Sequence, residues 1–266
     1  MSDVLAQIYR ARQARLEEEM LKEPLSVLEE RAAGGRGARR SLSAALRDAR
    51  PPGLIAEIKR ASPSAGVITD DFDVAQIAAS YQRAGADAIS VLTEEEHFQG
   101  HLSYLRIARP RTSVPLLRKD FLTTAYEVVQ SAAYGADAIL AIVAGLTDPQ
   151  LQALLDASSE WDIEVLVEVH SGVEVGRALN LGAKILGINN RDLRTLSTDT
   201  EVTASLIGLI PPDIQVVSES GYANVAEIQS ALKAGIPAFL VGEALMRADD
   251  KMAFISAVKS SGALRA

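Results

Sequence analysis

The sequence predicts one (β/α)8 barrel preceded by a helical extension, and three observations support this fold class. The chain has 266 residues, close to the ~250 that such a barrel needs. Hydrophobic residues make up 48% of it and charged residues 23%, which is enough apolar material for a large core. Finally, a glycine-led apolar segment recurs about every fifty residues, as in a repeat architecture.

The repeat indicates where the strands lie. Its copies are GADAISVL from Gly85, GADAILAI from Gly135, GAKILGI from Gly182 and GIPAFLVG from Gly235. Each glycine follows a helical pattern and precedes a short apolar run, as expected for a helix C-cap that leads into a buried strand. Further apolar runs lie about halfway between the copies: LIAEIK (54–59), VPLLRK (114–119), IEVLVEV (163–169) and IQVVSES (214–220). We therefore expect eight short strands.

Helical patterns separate these strands. The clearest are Val74–Ala84, Ala125–Tyr134, Pro149–Glu160, Gly172–Leu181 and Val225–Ala234. Apolar strands separated by helices imply a parallel sheet that is covered on its faces. An open doubly wound sheet is the alternative, but it predicts no fourfold regularity and usually has a glycine-rich turn after its first strand. The segment LIAEIKRASPS has no such turn, so the barrel is favoured.

Residues 1–50 are the predicted helical extension, and residues 51–266 are the predicted catalytic barrel, within one structural domain. Val4 to about Lys22 has the apolar spacing of an amphipathic helix. Gly34-Gly35 interrupts the chain, and Ser41–Ala49 is a second short helix. The extension either covers the bottom or side of the barrel or contributes a flap to a ligand site, and the sequence leaves both possibilities open.

Composition excludes several classes of protein. With no cysteine, the chain forms no disulfide, thiolate metal site or cysteine nucleophile, and a reducing compartment suits it. The N-terminal segment MSDVLAQIYRARQARLEEEM lacks the features of a secretory signal. The most apolar window, Ala132–Leu146, is too short to span a membrane and contains Asp137. We therefore expect a cytoplasmic protein that does not bind membranes.

The net charge of −8 argues against a nucleic-acid partner, because binding to the phosphate backbone depends on clustered Lys and Arg. A basic run, Arg36–Arg40, lies among glycines and has no interleaved aromatic residues. We interpret it as a solvated linker. No long apolar surface stripe is evident, so we expect a monomer.

Charged and amide side chains follow the ends of several predicted strands, where this fold carries catalytic residues. They are Glu57, Lys59, Lys119, Glu168, Asn189, Arg191 and Glu219. A single charge of this kind would be expected only to cap its strand at the solvent edge. Six charged groups that converge on one mouth favour a function, because desolvating charges is costly unless pairing or chemistry compensates. Burial and neighbours are expected to move the pKa values of these lysines and glutamates toward neutral pH.

Two glycine-containing turns predict a phosphate site. Ser220-Gly221 follows the seventh strand, and Gly242-Glu243 follows the eighth. Each is expected to open a helical segment whose backbone N–H groups face the mouth. The glycines let the backbone approach phosphate oxygens closely. The expected ligand is therefore a small phosphorylated molecule.

The histidines do not predict a metal site. His97 and His101 have the spacing of helical metal ligands, but Gly100 and the sequence EEEHFQGH favour a solvated acidic loop. His170 comes two residues after Glu168 and is expected at the rim, without a role.

Eight segments, taken in order, carry the pattern of a known family. They are LIAEIKRASPSAG (54–66), ISVLTEEEHFQG (89–100), LLRKDF (116–121), ADAILAIVA (136–144), LVEVH (166–170), GINNRDL (187–193), SESG (218–221) and FLVGEALM (239–246). Together they resemble indole-3-glycerol-phosphate synthase from about Leu42 to Met246, and the Glu-x-Lys-x-x-Ser-Pro-Ser pattern of the first segment is highly specific to that family.

The resemblance implies a carboxy-lyase of tryptophan biosynthesis. Such an enzyme closes the five-membered ring of 1-(2-carboxyphenylamino)-1-deoxyribulose 5-phosphate and then releases CO2 and water to give indole-3-glycerol phosphate. The resemblance implies no cofactor and no metal.

The resemblance also implies roles for individual residues. Lys119 looks like the general acid that protonates the ribulose carbonyl, and Glu168 resembles the general base of the dehydration. Lys59 would bind the carboxylate or phosphate side of the substrate and is a second candidate proton donor, so which lysine serves which step stays open. Glu57 would orient hydroxyl and lysine groups, Asn189 and Arg191 would position hydroxyl and carboxylate groups, and Glu219 would lie beside the lysines. The implied phosphate-binding positions are Ser62, Ser220, Gly221, Gly242 and Glu243. Phe98, Phe121 and Leu140 would pack around the anthranilate ring.

Two positions depart from the family's pattern. Asn190 stands where serine is also familiar, which leaves its functional neighbours in place. Glu243 also stands where serine is familiar. That change puts a side-chain hydroxyl contact to phosphate in doubt, but not a backbone contact.

Two other functions compete with this one. Phosphoribosylanthranilate isomerase, another phosphosugar barrel, uses a Cys and Asp pair in its family's form, and this chain has no cysteine. A non-catalytic barrel that binds a phosphorylated metabolite would need the phosphate positions but not Lys59, Lys119 and Glu168. Since all three are present, catalysis is favoured.

Overall fold

A closed barrel of parallel strands forms the centre of the computed structural model, which describes residues 4–35 and 40–262. Within these residues eight strands are hydrogen-bonded to their neighbours in chain order, and the last pairs with the first. They are β1 (Gly53–Ile58), β2 (Ala88–Leu92), β3 (Leu116–Lys119), β4 (Ala138–Ile142), β5 (Glu164–Val169), β6 (Ile185–Asn189), β7 (Gln215–Glu219) and β8 (Ala238–Val241). Closure through the β1–β8 pairing confirms the predicted fold class and excludes the open sheet.

Helices follow the strands and cover the barrel. In the described chain they are α1 (Val4–Lys22), α2 (Leu25–Gly35), α3 (Leu42–Asp48), α4 (Val74–Ala84), α5 (Ser103–Ala108), α6 (Ala125–Ala133), α7 (Asp148–Glu160), α8 (Gly172–Asn180), α9 (Glu201–Leu206), α10 (Val225–Lys233), α11 (Glu243–Arg247) and α12 (Lys251–Ser260). Short 3-10 turns lie at 109–111, 143–145 and 207–209, and a small hairpin pairs Ala61–Ser62 with Gly66–Val67. A helix was expected after Gly242, where α11 lies, but the sequence analysis gave no bounds for α2, α5, α9 and α12.

The four glycines of the repeat have a common backbone geometry. Gly85, Gly135, Gly182 and Gly235 have φ values of 96°, 93°, 85° and 102°. This left-handed conformation favours glycine because a Cβ atom would be strained there. The sequence repeat therefore marks the points where a helix stops and the chain turns into the next strand.

Alternating side chains give the barrel two hydrophobic regions. Inside the barrel, Ile55, Leu117 and Leu166 belong to one buried cluster, each with no exposed surface. Their neighbours along the strands, such as Leu54 and Leu116, pack in a different cluster with the surrounding helices. The residues that follow the interior layer on each strand therefore point into the mouth at the carboxyl ends.

The two parts of the extension lie at opposite ends of the barrel. Leu42 of α3 joins the interior cluster, and the Ser43 N–H donates to the carboxylate of Glu164, the first residue of β5, at 3.0 Å. Because β5 starts at the bottom of the barrel, α3 covers that end. Leu5 and Ile8 of α1 join the same cluster but lie at the mouth instead, where Ile8 lines the main cavity and Leu5 an adjacent pocket beside Glu168. Both possibilities left open by the sequence are thus realised, by different helices.

A buried ion pair fixes α1 to the barrel. The Arg12 guanidinium donates to Glu127 of α6 at 2.9 Å, and the two residues are 6% and 0% exposed. Of the predicted linker Arg36–Arg40, residues 36–39 lie outside the described residues, and Arg40 donates to the Ser113 carbonyl at 3.0 Å. Across the described ranges, no helix is both long and apolar enough to cross a membrane.

Candidate active site

A cavity lies at the carboxyl ends of the strands and measures about 1020 Å³ with the solvent at its open end included. Every residue that the sequence analysis placed in the site lines it. These residues are Glu57, Lys59, Ser62, Phe98, Lys119, Phe121, Leu140, Glu168, Asn189, Arg191, Glu219, Ser220, Gly221, Gly242 and Glu243. The barrel therefore brings together side chains that are scattered over most of the chain.

Lys119 lies between two carboxylates. Its ammonium nitrogen is 3.0 Å from Glu168 Oε2 and 2.8 Å from Glu219 Oε2. Burial alone lowers the pKa of Lys119, but the charges of Glu168, Glu219 and Glu57 outweigh it, so the pKa lies above its ordinary value. The expectation of a lysine pKa moved toward neutral pH is therefore wrong for Lys119. Surrounding carboxylates keep its proton on, so Lys119 meets a substrate in its ammonium form.

Glu219 does have a pKa near neutrality. Burial raises the pKa of Glu219 to about 7 against the opposing charge of Lys119, and the nearby charge of Glu168 adds to the rise. Its Oε1 has no hydrogen-bond partner within the described part of the chain. A Cβ atom at Gly187 would overlap that same oxygen. Glycine at position 187 is thus what leaves room for the Glu219 carboxylate.

Asn189 orients Glu168 from the other side. The Asn189 amide nitrogen donates to Glu168 Oε1 at 3.0 Å, and its amide oxygen accepts the Arg191 N–H at 2.9 Å. His170 lies at the rim, as predicted, and its Nδ1 is 2.6 Å from the Asn189 carbonyl oxygen. Glu168 is therefore held by Lys119 on one oxygen and by Asn189 on the other.

Glu57 and Lys59 form a second ion pair in the cavity. Their side chains project in the same direction from the end of β1, and Lys59 Nζ is 2.8 Å from Glu57 Oε1. A Cβ atom at Gly242 would overlap the Glu57 carboxylate and lie 3.0 Å from Lys59 Nζ. The glycine after β8 thus gives this pair space beside the predicted phosphate positions.

The two glycine turns differ from the prediction in one respect. Gly242 directly precedes α11, as expected. Ser220-Gly221 does not open a helix, because α10 begins only at Val225, with Asn224 as its N-cap. Instead Ser220 and Gly221 have φ values of 62° and 89° and make a left-handed turn. Both residues line the cavity, and backbone N–H groups at a turn can bind anions.

An apolar wall faces these polar groups. The rings of Phe98 and Phe121 lie 5.9 Å apart, and Leu140 packs in the same cluster. Val4 and Ile8 of α1 also line the cavity. The sequence analysis missed these two residues, because the spacing of a helix reveals its apolar face but not the surface on which that face packs.

The loop that carries Phe98 is held by Glu94, which the sequence analysis also missed. The Glu94 carboxylate is 5% exposed and accepts the N–H groups of His97 and Phe98 at 2.8 and 2.9 Å. His97 and His101 lie in this loop and not on a helix, as predicted. Among residues 4–35 and 40–262, no group of three His, Cys, Asp or Glu side chains is placed to hold a metal ion.

Comparison with known sequences gives consistent matches. The sequence profile of the family described as "Indole-3-glycerol phosphate synthase" matches residues 5–258. A protein of that name from Polaromonas sp. (strain JS666 / ATCC BAA-500) is 44% identical over 253 residues, which cover 94% of this chain and 96% of the relative. One from Azospirillum brasilense is 44% identical over 257 residues, with 94% and 96% coverage.

Solved structures with the same fold are more distant. KGPDC from Streptococcus mutans superposes with a TM-score of 0.61 at 17% identity, covering 80% of this chain and 98% of that one. Thiamine phosphate pyrophosphorylase from Pyrococcus furiosus gives 0.61 at 16% identity, with 80% and 96% coverage. At this level of identity the likeness shows the barrel fold alone.

Proposed function

The chain belongs to the indole-3-glycerol-phosphate synthase family, and from that premise we propose how its cavity performs the reaction. The enzyme is a carboxy-lyase of tryptophan biosynthesis that converts 1-(2-carboxyphenylamino)-1-deoxyribulose 5-phosphate into indole-3-glycerol phosphate, CO2 and water. The observation that carries the proposal is the position of Lys119 between Glu168 and Glu219, in the same cavity as Lys59 and the glycine turns.

The substrate binds with its two ends apart. Its phosphate lies against the turns at Ser220-Gly221 and Gly242-Glu243, where backbone N–H groups serve as donors. The anthranilate ring packs on the apolar wall of Phe98, Phe121 and Leu140. The ribulose carbonyl then lies between the two lysines. The ring closure joins two carbons of one molecule, and holding the ring carbon beside the carbonyl carbon removes much of the entropic cost of folding the substrate.

Lys119 supplies the first proton. As the aryl carbon that carries the carboxylate attacks the carbonyl carbon, negative charge develops on the carbonyl oxygen, and an ammonium group there can donate a proton to it. Loss of CO2 from the same ring carbon then restores the aromatic system. This step releases no proton, since the electron pair of the broken bond stays in the ring.

Dehydration completes the indole. Glu168 removes a proton from the substrate carbon next to the nitrogen, and the hydroxyl group leaves as water after it receives a proton from a lysine. The lysine is either Lys59 or a reprotonated Lys119, and this choice stays open. Because Lys119 and Glu168 are 3.0 Å apart, Glu168 can return its proton directly to Lys119. The whole conversion consumes one proton from solvent, in step with the loss of the carboxylate as CO2.

We further propose that the enzyme acts in the cytoplasm as a monomer, binds no nucleic acid and needs no cofactor. The absence of cysteine, the net charge of −8 and the chemistry available from lysine and glutamate side chains support these proposals.

A substrate assay tests the proposed function. Purified protein is expected to convert the carboxyphenylamino substrate into a fluorescent indole product in a buffer without added metal. A folded protein that binds the authentic substrate but forms no product would instead support a non-catalytic phosphometabolite-binding barrel. The Lys119→Met variant, measured in parallel, separates enzymatic turnover from contamination by a host enzyme.

A further inference from the structure

A buried hydrogen-bond network lies directly beneath the Ser220-Gly221 turn. Its members are Asn190, Thr203 and Ser218, each with no exposed surface, and Tyr222, which is 8% exposed. Asn190 follows β6, Thr203 lies on α9, and Ser218 lies on β7. None of these side chains was predicted to have a role, and Asn190 is one of the two positions at which the sequence departs from the family's pattern.

The orientation of the Asn190 amide follows from its neighbours. The backbone N–H of Thr203 lies 3.1 Å from one amide atom and can only donate, so that atom is the oxygen. The Thr203 hydroxyl is 2.8 Å from the same oxygen and donates to it. The amide nitrogen must then face the Ser220 carbonyl oxygen at 3.0 Å and the Ser218 hydroxyl at 3.2 Å.

This orientation satisfies the other hydroxyl groups as well. Since the Thr203 hydroxyl donates to Asn190, it accepts from Ser218, whose Oγ is 2.7 Å away. Ser218 Oγ in turn accepts from the Tyr222 hydroxyl at 2.7 Å. Every donor has one acceptor, so the network has a single favourable arrangement. A fully satisfied buried network of this kind is rigid.

The network holds a strained segment of backbone. Ser220 is a non-glycine residue with φ of 62°, a conformation that costs free energy unless its surroundings enforce it. The hydrogen bond from Asn190 to the Ser220 carbonyl provides that enforcement. Gly221 is packed from the outside, since a Cβ atom there would lie 2.8 Å from Thr200 Cγ2 and 3.0 Å from Thr198 Cγ2. The turn is therefore fixed from below and from one side.

We propose that Asn190 is a positioning residue for the phosphate site, which aims the N–H groups of the Ser220-Gly221 turn through its hydrogen bond to the Ser220 carbonyl. This inference rests on the proposed function, because it presumes that the turn binds the substrate's phosphate. Asn190 does not line the cavity described above, so it acts through the backbone and not by touching substrate.

The test uses inorganic phosphate as a competitive inhibitor, together with the KM of the phosphorylated substrate. Asn190→Ser keeps a polar side chain that is too short to reach both Thr203 and the Ser220 carbonyl. We expect its phosphate inhibition constant and its KM to rise by about tenfold, the scale of a buried hydrogen bond lost to a strained segment. Its kcat should stay within about threefold of wild type, because Lys119 and Glu168 are untouched.

Thr203→Val is the matched control. It removes a hydroxyl from the same network, but the Thr203 backbone N–H still fixes the Asn190 amide, and the bond to Ser220 remains. We expect a lower melting temperature but a phosphate inhibition constant within about twofold of wild type.

Asn190→Asp is a second probe of the hydrogen bond between Asn190 and the Ser220 carbonyl. It keeps the shape of the side chain but places a carboxylate oxygen against the Ser220 carbonyl, and it should weaken phosphate binding at least as much as Asn190→Ser.

The possible outcomes separate the two proposals. Unchanged phosphate inhibition in folded Asn190→Ser, or an equal loss in Thr203→Val, overturns the role of Asn190 while leaving the enzyme's function intact. If wild-type protein turns over the substrate but is not inhibited by phosphate, the assignment of the turn as a phosphate site fails, and the role of Asn190 fails with it. Absence of turnover in the wild type would count against the proposed function itself.

Discussion

Lys119 Nζ lies 2.8 Å from Glu219 Oε2, although 100 residues separate the two along the chain. Lys119 ends β3 and Glu219 ends β7, so the two side chains approach each other across the barrel from different sides. Glu168, from β5, completes the contact at 3.0 Å from the same nitrogen. One cation shared by two buried carboxylates leaves an excess negative charge in the mouth, and this excess governs the protonation of the site.

Replacing Lys119 by methionine is expected to abolish most of the activity. Lys119→Met should lower kcat by ~10²-fold or more, the usual effect of removing a general acid, while substrate binding stays largely intact. Steady-state kinetics and a substrate titration measure the two effects separately. Lys233→Met, on the exposed face of α10, is the control and should be neutral. Near-normal turnover in Lys119→Met would remove the role proposed for this residue.

Glu219 is expected to make stability fall as pH rises. Its folded-state pKa of about 7 exceeds the ordinary value of 4.5, so between these values the native state keeps a proton that the unfolded state has lost. The free energy of unfolding should therefore decrease from about pH 4.5 to pH 7, by on the order of 1–3 kcal/mol from this group. Lys119 stays charged throughout this window, because its pKa is raised above 10.5.

Urea unfolding at several pH values measures this effect. Glu219→Gln cannot titrate, so the difference in unfolding free energy between this variant and wild type should grow with pH across the same window. A difference that is constant with pH would show that Glu219 ionises in the folded protein as it does in a peptide.

A methyl group at position 187 is expected to damage the site without unfolding the barrel. Because a Cβ atom there would overlap Glu219 Oε1, Gly187→Ala should displace the Glu219 carboxylate and with it Lys119. We expect kcat to fall by about tenfold or more, as for other misplacements of a catalytic group. Gly176→Ala is the matched control, since the added methyl group would have no atom within 4 Å apart from its chain neighbours and the backbone of its own helix. On helix α8 it should leave kcat unchanged and slightly raise stability. Equal kinetics in the two variants would contradict the proposed contact.

Loss of the Arg12 side chain is expected to destabilise the protein strongly. Arg12→Met leaves the buried Glu127 carboxylate without its cation, which should lower the free energy of unfolding by about 3–5 kcal/mol. It should also raise KM, because α1 carries Val4 and Ile8 into the cavity. Lys22→Met, which breaks an ion pair whose members are 75% and 70% exposed, should cost less than about 1 kcal/mol. Similar losses in both variants would mean that burial does not distinguish these pairs.

Most of the barrel and the content of its mouth could be predicted from the sequence. The repeated glycines mark helix ends because the left-handed backbone at Gly85 or Gly135 is a local property of one residue. Alternation along a strand is local as well, so the placement of Glu57 and Lys59 on one side of β1 followed from two positions. The carboxyl ends of parallel strands share one face of the barrel, and the convergence of the charged strand-end residues followed from that rule. Ser62, Phe98, Phe121 and Leu140 were expected only from the family resemblance.

The pairings within the mouth depended on the tertiary structure. No local pattern states that Lys119 meets Glu168 and Glu219, because these distances are set by how the barrel closes. The pKa of Lys119 was wrongly expected to fall for the same reason, since its direction depends on how many carboxylates surround the ammonium group.

The sequence by itself determined the positions of the strands, the glycine caps and the charged side chains at the strand ends, because those features arise from backbone geometry within a few residues. Only the tertiary structure decided that α1 lines the mouth of the barrel while α3 covers its bottom, and that Asn190 donates a hydrogen bond to the Ser220 carbonyl. These outcomes depend on contacts between residues far apart in the chain, and such contacts exist only once the barrel has closed and its helices have packed.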